Sequence, residues 1–149
     1  MPATQPAAVL DRTEAERLAR ALCDCYETLD APDDLFAPDV FLDSFPPQWR
    51  FQLQGRSALL AQLRAVNEGA TITARLLRVV PTATGFVMEH EGTYAGDETE
   101  MARHLDLCEV RDGRIVEIVS YCNGGWDDAL RTRHAAEAPM LRTDDELVR

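Results

Sequence analysis

Four consecutive segments in the second half of the chain have the length and composition of long β-strands. They cover residues 71–80, 85–95, 101–110 and 114–122, and short turn sequences such as "PTATG" and "RDG" separate them. Strands joined by such short turns pair in antiparallel fashion. This run of strands predicts an antiparallel sheet whose inner face must be covered by the rest of the chain.

The rest of the chain supplies helices to cover that sheet. Thr13 and Glu16 have the spacing of a capping box, and apolar residues follow at helical period: Leu18, Leu22, Cys25, Tyr26 and Leu29. A second helix is predicted over 58–68, capped by Ser57 and ended by Gly69.

Shorter elements fill the intervals. "DAPDDLFAPD" breaks the first helix and suggests a turn carrying Leu35 and Phe36. Short strands are predicted over 40–45 and 49–55, and a short helix begins near Asp127. The order of elements predicts an α+β fold, with helices packed on one face of a curved sheet.

Size and charge limit the classes of protein that fit. A chain of 149 residues suits one domain over 1–149, with an ordered core of about 12–136 and loose termini over 1–11 and 140–149. The net charge of −11 disfavours nucleic acid and anionic membranes as partners. There is no apolar run of membrane-spanning length and no signal-peptide pattern, and the four cysteines suit reduced thiols in the cytoplasm.

Alternation along two of the strands separates an outer from an inner face. In 101–110, Leu105 and Leu107 share one face, and the opposite face carries His104, Asp106 and Cys108. In 85–95, one face carries two glutamates and suits the outside, and the other carries Met88, His90, Gly92 and Tyr94. The polar members of the inner faces are candidates for a pocket.

The sequence resembles the nuclear-transport-factor-2-like superfamily, and within it the SnoaL-like polyketide cyclases and ketosteroid-isomerase-like proteins. The resemblance is carried by "LFAPDV", by "GRSALLAQL" and by the hairpin "HLDLCEVRDGRIVEIVSY", and it covers roughly residues 12–136. It implies a cone-shaped α+β roll of the cystatin-like type: a strongly curved, mostly antiparallel sheet, with helices on its concave side and a pocket inside. Many members form homodimers through the outer face of the sheet.

The resemblance implies a pocket acid at Asp106. Burial in an apolar pocket disfavours the ionised form, so its pKa is expected to rise. A neutral Asp106 would donate a hydrogen bond to a developing oxyanion, and an ionised one would abstract a proton. The alternative is a surface aspartate, or one paired with Arg103 or Arg111.

Two further residues have implied catalytic roles. SnoaL-like cyclases carry a histidine on the strand of His90, where Asp106 would fix the imidazole tautomer; the alternative is a buried histidine without chemistry. Tyr26 lies roughly where isomerase-like members place an oxyanion-donating tyrosine, so it could form an oxyanion hole with Asp106. The alternative is a core tyrosine.

The chain departs from the isomerase-like pattern on its first strand. The general base of that group matches Ser44, and serine cannot act as that base. Asp43 could do so only if the strand were rotated by one residue, which would turn every neighbouring side chain to the other face. The departure weakens a double-bond isomerisation mechanism and favours a site in which His90 and Asp106 act, or none.

The other pocket residues are expected to bind substrate. Successive inward positions on a strand lie about 6.5–7 Å apart, too far for one strand to hold a tetrahedral metal ion. We therefore expect no metal, and the proton-transfer chemistry implied by the resemblance needs no cofactor. The predicted substrate-binding residues are Ser44, Phe45, Trp49, Met88, His104, Cys108, Ser120 and Cys122.

The turn before Arg114 decides which residue faces Asp106. A loop of Asp112 and Gly113 alone places Asp106 opposite Val119, whereas a three-residue loop with a bulge places it opposite Ile118. The second register, favoured by the resemblance, puts Ser120 and Cys122 on the face of Asp106. Val119 and Tyr121 then join Leu105 and Leu107 on an apolar outer face that suits a dimer interface.

Together these features predict a small-molecule enzyme of proton-transfer type: a cyclase, isomerase or dehydratase acting on a hydrophobic carbonyl or polyketide-like compound. The expected partners are that ligand and a second copy of the chain. The alternative is a non-catalytic module of the same fold that binds a hydrophobic ligand or another protein. A weaker alternative is an epoxide or ester hydrolase, which would need a second carboxylate or an arginine in the pocket.

Overall fold

A curved, unclosed sheet of six strands forms the centre of the structure, a computed structural model that describes residues 9–147. The strand order is β2-β1-β6-β5-β4-β3, and every neighbouring pair is antiparallel except β1 and β6. The predicted α+β fold is confirmed. The elements are α1 (Arg12–Thr28), β1 (Phe36–Phe45), β2 (Phe51–Gln54), α2 (Arg56–Val66), β3 (Thr71–Pro81), β4 (Gly85–Ala95), β5 (Thr99–Arg111), β6 (Arg114–Cys122), α3 (Asp128–Glu137) and α4 (Asp144–Leu147).

Helices α1 and α2 pack against one face of the sheet. Leu18 and Leu22 of α1 are fully buried, and Leu59 and Leu60 of α2 are nearly so. They join a core cluster that includes the sheet residues Phe36, Val40, Phe86, Met88, Cys108, Ile115 and Ile118. Burying a side chain of this size stabilises the fold by about 1.5–3 kcal/mol, so the cluster holds the helices on the concave face.

The first residues of the two long helices differ from the prediction. Asp11 is the N-cap of α1, and its carboxylate accepts a hydrogen bond from the Glu14 N–H at 3.2 Å. Thr13 therefore lies inside the first turn and does not cap the helix. Ser57 likewise lies inside α2, which follows Gly55 at φ 97°, a conformation that favours glycine. For α3 the N-cap is Asp127, at the predicted start.

Strand β1 begins earlier than predicted, and it pairs in parallel with β6, the second strand of the terminal hairpin. Phe36, expected in a turn, is the first residue of β1, and the carbonyl of Leu35 accepts a hydrogen bond from Ile115 at 2.9 Å. Both side chains are buried in the core, which favours the extended conformation over a turn. At the other end of the chain, a short helix covers 144–147. Residues 1–8 and 148–149, parts of the two termini expected to be loose, lie outside the described residues.

The terminal hairpin adopts neither of the two predicted registers. Asp112 and Gly113 alone form the loop, with φ 52° and 74°, which matches a type I′ turn. The register then shifts by one residue between Glu109 and Val110 of β5. This irregularity places Asp106 opposite Ser120 rather than Val119 or Ile118. No helix within residues 9–147 is long and apolar enough to cross a membrane.

Candidate active site

A cavity of about 630 Å³ lies between the concave face of the sheet and the two long helices. Tyr26 contributes from α1 and Leu59, Leu63 and Val66 from α2. The sheet contributes apolar residues such as Leu42, Phe51 and Ile72, and polar residues at its inner positions: Ser44, His90, Tyr94, His104, Ser120 and Cys122. A mainly apolar wall with a few convergent polar groups is typical of a small-molecule site.

Asp106 is fully buried behind this wall, and its carboxylate is within hydrogen-bond distance of two residues that line the cavity. Its Oδ2 accepts a hydrogen bond from the Tyr26 hydroxyl at 2.8 Å and lies 2.9 Å from Nε2 of His90. Its Oδ1 has no hydrogen-bond partner within the described residues. Asp106 does not line the cavity and contacts the cavity wall through Tyr26 and His90.

The pKa of Asp106 moves in the opposite direction to the one expected from burial. Burial raises it, but the hydrogen bond to His90 and the charge that His90 carries when protonated lower it, and the pKa lies below its ordinary value. The Ser120 hydroxyl acts in the same direction. A lowered pKa favours the carboxylate form of Asp106, which only accepts hydrogen bonds, and so favours the ionised one of its two expected roles.

The Tyr26 phenol is protonated, and its proton forms a hydrogen bond to Asp106. Burial, followed by the negative charge of Asp106, raises the pKa of the Tyr26 phenol well above its ordinary value. The hydroxyl donates to Asp106, which leaves no second proton for an oxyanion. Tyr26 thus lines the cavity as predicted but holds Asp106 instead of facing a ligand as a free donor.

His90 lies between two other rings at the cavity wall. It is 3% exposed, and its ring stacks on Tyr26 at 5.0 Å and on His104 at 4.7 Å between centroids. Because the carboxylate of Asp106 can only accept, we assign the imidazole proton to Nε2. Nδ1 is then an acceptor, and it has no partner among the described residues.

A second polar pair lies next to the first. The Tyr94 hydroxyl is 3.1 Å from Nε2 of His104. Burial, reinforced by the charge of His90, lowers the pKa of His104 to about 4, and burial raises the pKa of Tyr94 to about 12. Both groups are neutral at pH 7, so they offer hydrogen bonds without adding charge to the wall.

Gly92 makes room for this second pair. A methyl group added at Gly92 would collide with the hydroxyl and ring of Tyr94, two residues further along β4. Tyr94 folds back over the glycine and thereby reaches His104. Alternation along the strand predicts the inner position of Tyr94 but not its role, and the small residue at 92 is the sequence signal for this close approach.

The eight predicted substrate-binding residues divide into two groups. At the cavity wall lie Ser44, His104, Ser120 and Cys122. Their contact with a ligand stays a prediction. Met88 and Cys108 share the same face of the sheet but are 0% and 2% exposed, beneath α1 in the core cluster, so they do not line the cavity.

Phe45 and Trp49 lie outside the cavity as well. Phe45 points to the convex face, where its ring stacks on Tyr121 at 4.8 Å. Trp49 follows the Pro46–Pro47 turn and is 71% exposed. Alternation explains the outward direction of Phe45, because its neighbour Ser44 occupies the inward position on β1.

Asp43 also belongs to the convex face. Its carboxylate forms a two-pronged ion pair with Arg50, at 2.8 and 2.6 Å. The strand is therefore not rotated, and Ser44 is the residue at the inward position. The general base of the isomerase-like pattern has no counterpart here.

Three carboxylates at the cavity wall were not anticipated. Asp97 and Glu98 lie in the turn between β4 and β5, and Glu100 lies near the start of β5. Sequence alternation could not find the first two, because turn residues follow no strand period. Residues 9–147 contain no group of three or more His, Cys, Asp or Glu side chains that could hold a metal ion.

Comparison with known families agrees with the fold. The family of SnoaL-like domains matches residues 16–118. This chain belongs to the SnoaL-like domain family. No curated protein matches its sequence.

Solved structures with the same fold are distant in sequence from this SnoaL-like domain. An LEH-like epoxide hydrolase of M. tuberculosis has 18% identity and a TM-score of 0.59, and the match covers 73% of this chain and 78% of that chain. IdmH, a candidate polyketide cyclase of Streptomyces antibioticus, has 18% identity and a TM-score of 0.60 over 73% and 91%. A candidate ketosteroid isomerase of Kribbella flavida has 18% identity and a TM-score of 0.57 over 92% and 95%. These likenesses establish the fold.

Proposed function

We propose that this SnoaL-like domain catalyses proton transfer on a hydrophobic carbonyl compound, with His90 as the base. The observation that carries the proposal is the buried contact of 2.9 Å between His90 and Asp106 at the wall of an apolar cavity. A carboxylate that fixes the tautomer of an imidazole leaves the second nitrogen free to accept a proton.

The reaction begins when His90 Nδ1 removes the proton next to the carbonyl group. The imidazole becomes a cation, and the carboxylate of Asp106 stabilises this charge at Nε2. Asp106 is therefore a positioning residue, since it is fully buried and acts through His90. Tyr26 holds the carboxylate in place. Return of the proton to another carbon gives isomerisation. Attack of the enolate carbon on a second carbonyl of the substrate, whose oxygen takes the proton back from His90, gives cyclisation. Departure of a β-hydroxyl group as water, with the proton supplied by the same imidazolium, gives dehydration.

The substrate class is inferred from the cavity and from the relatives. A wall that is mainly apolar suits a compact hydrophobic compound, and about 630 Å³ is within the usual range for ligand sites. One relative is a candidate polyketide cyclase and another a candidate ketosteroid isomerase, and both names imply carbonyl substrates. The cytoplasmic location, expected from four cysteines that are all free, belongs to the same proposal.

Two other functions have some support. A module that only binds its ligand is favoured by Ser44, which occupies the position of the general base in the isomerase-like pattern. Epoxide hydrolysis is the activity named for the M. tuberculosis relative. Its support is weaker, because the described wall contains no arginine and its extra carboxylates, at Asp97, Glu98 and Glu100, are exposed.

Exchange of α-protons for deuterium tests the proposal without a known substrate. Hydrophobic ketones such as 2-decalone and 2-tetralone would be incubated with the protein in D₂O and followed by NMR. The proposal predicts exchange above the buffer rate, and its loss by at least about 100-fold in His90→Gln. A binding module would bind these ketones, for example in a thermal shift assay, without exchanging their protons in either form.

We also propose a homodimer through the convex face of the sheet. Exposed apolar side chains lie on neighbouring strands of that face: Val80, Leu105, Leu107 and Tyr121, each 40–47% exposed. An apolar patch of this kind on a soluble chain marks an interaction surface. A second copy is self-complementary in a two-fold arrangement, which is the commonest form of association.

A further inference from the structure

The proposed reaction needs a hydrogen-bond donor at the carbonyl oxygen of the substrate. When His90 removes the neighbouring proton, negative charge moves onto that oxygen, and a donor beside it stabilises the enolate. Tyr26 does not fill this role, because its hydroxyl donates to Asp106. The Ser120 hydroxyl also forms a hydrogen bond that lowers the pKa of Asp106. The donor is therefore expected among the other polar groups of the cavity wall.

The Tyr94 phenol lies close to His90 on the inner face of β4. His90 and Gly92 are successive inner positions of this strand, which are about 6.5–7 Å apart. Tyr94 folds back over Gly92, so that a Cβ atom added there would lie 2.5 Å from the Tyr94 hydroxyl oxygen. The phenol oxygen thus occupies the inner position next to His90 and not that of its own Cα. Both side chains line the same cavity, so one ligand can contact both.

His104 connects the phenol to the ring of the proposed base. Its Nε2 lies 3.1 Å from the Tyr94 hydroxyl, and its ring stacks on His90 at 4.7 Å between centroids. The Cys122 thiol is more distant, at 3.9 Å from the same nitrogen. Burial lowers the pKa of His104 to about 4, so the ring is neutral at pH 7. A neutral ring at this place does not oppose the positive charge that His90 gains with the proton.

We propose that Tyr94 is a second catalytic residue, which donates a hydrogen bond to the carbonyl oxygen of the substrate, and that His104 positions it. In this arrangement His104 Nε2–H donates to the Tyr94 oxygen, and the phenol proton is left for the ligand. Of the two neutral groups, the phenol is the stronger acid, so its hydrogen bond gains more as charge develops on the acceptor. This inference rests on the proposed function, because that function supplies the base.

The step balances without a cofactor. His90 Nδ1 takes the α-proton, and the electron pair of the broken C–H bond forms the C=C bond of the enolate. The π pair of the carbonyl group moves onto its oxygen, which accepts the hydrogen bond from Tyr94. The Tyr94 O–H bond stays intact, and the hydrogen bond strengthens in the transition state, which is where it accelerates the reaction.

Infrared spectra of a bound ketone test the donor without any turnover. The probe is 2-tetralone, with spectra of the ¹²C and ¹³C carbonyl forms subtracted to isolate its band. A hydrogen bond weakens the C=O bond, so the band should lie at lower frequency in the wild type than in Tyr94→Phe. Tyr121→Phe, on the convex face, is the matched control and should keep the wild-type band. His90→Gln should also keep it, because the donor does not depend on the base.

The rate of α-proton exchange tests the catalytic role. Tyr94→Phe should lower the rate by about 100-fold, as is typical for loss of one oxyanion donor, and should change the dissociation constant of the ketone by less than about threefold. His104→Leu should lower the rate by about tenfold. In His104→Gln the side-chain amide can donate in place of Nε2, so the rate should stay within about threefold of the wild type. A purely structural role would not give this split or this rescue.

Gly92→Ala displaces the phenol without removing it. The added methyl group takes the space of the Tyr94 hydroxyl, so the exchange rate should fall as in Tyr94→Phe, with no further loss when the two changes are combined. The proposal is overturned if the carbonyl band is the same in the wild type and in Tyr94→Phe, or if Tyr94→Phe exchanges protons at the wild-type rate. A wild type without exchange but with the shifted band would remove the proposed base and keep Tyr94 as the donor.

Discussion

Nε2 of His90 lies 2.9 Å from Oδ2 of Asp106, and the two side chains are 3% and 0% exposed. A buried pair of this kind must be hydrogen-bonded to be tolerated. The phenol of Tyr26 donates to the same oxygen at 2.8 Å. The pair is thus a histidine with a fixed tautomer, backed by a carboxylate that cannot reach the cavity itself.

The tautomer of His90 can be observed directly by ¹⁵N NMR. Since Asp106 accepts at Nε2, the neutral ring should carry its proton there, and Nδ1 should show the chemical shift of an unprotonated nitrogen. In Asp106→Leu this preference should disappear. A wild-type protein with the proton on Nδ1 would contradict the proposed direction of proton transfer.

Replacing Tyr26 with phenylalanine removes one donor from the Asp106 carboxylate. The pKa of Asp106 should rise, because the ionised form loses a hydrogen bond. We expect the free energy of unfolding to fall by about 1–2 kcal/mol and the acid limb of the pH–rate profile for α-proton exchange to move to higher pH. Tyr121→Phe, on the convex face, is the matched control. Equal behaviour of the two variants would show that the Tyr26 hydroxyl does not hold Asp106.

His104 should make the protein less stable in mild acid. Its pKa of about 4 in the folded chain lies below the ordinary value of 6.5, so between these values only the unfolded chain takes up the proton. The free energy of unfolding should therefore fall as the pH falls from about 6.5 to 4, by up to about 3 kcal/mol. The lowered pKa of Asp106 acts in a separate window, below 3.8.

Urea unfolding at a series of pH values measures this effect. His104→Gln should flatten the dependence between pH 6.5 and 4 and leave the loss below that range in place. An unchanged slope in the variant would mean that His104 is protonated in the folded protein, contrary to its burial beside His90 and Tyr94.

A charge at the centre of the convex face should separate the proposed dimer. Leu107→Arg places a cation among Val87, Leu105 and Val119, where a second copy would bury it without a partner. Sedimentation equilibrium should show a dimer for the wild type and a monomer for this variant. Leu141→Arg, at a fully exposed residue outside the sheet, is the control and should stay dimeric. A monomeric wild type would remove the proposed interface.

The alternation of side chains made the inner face of the sheet predictable. His90, His104 and Asp106 lie on one face because a strand has a period of two residues, and the structure brings all three together. Tyr26 was placed beside Asp106 by the resemblance to isomerase-like members, and helical spacing showed only that it lies on the apolar stripe of α1. Period alone could not separate the cavity wall from the core beneath α1, which is why Met88 and Cys108 were expected to bind substrate.

Features that depend on local backbone geometry could not be predicted from the sequence. The register of the last hairpin depends on a two-residue turn and on an irregularity after Glu109, and no side-chain pattern shows that irregularity. The direction of the Asp106 pKa shift depended on the partners that the fold would supply, since burial alone has the opposite effect. Asp97 and Glu98 line the cavity because the turn between β4 and β5 passes along its wall, and side-chain alternation does not predict the path of a turn.

The most direct test of the proposed chemistry is α-proton exchange by Asp106→Asn with 2-decalone in D₂O. Asparagine keeps the shape of the side chain but removes the charge that stabilises the His90 cation. We predict a loss of at least about 100-fold in the exchange rate, with binding of the ketone retained. Exchange at the wild-type rate in Asp106→Asn would contradict the account.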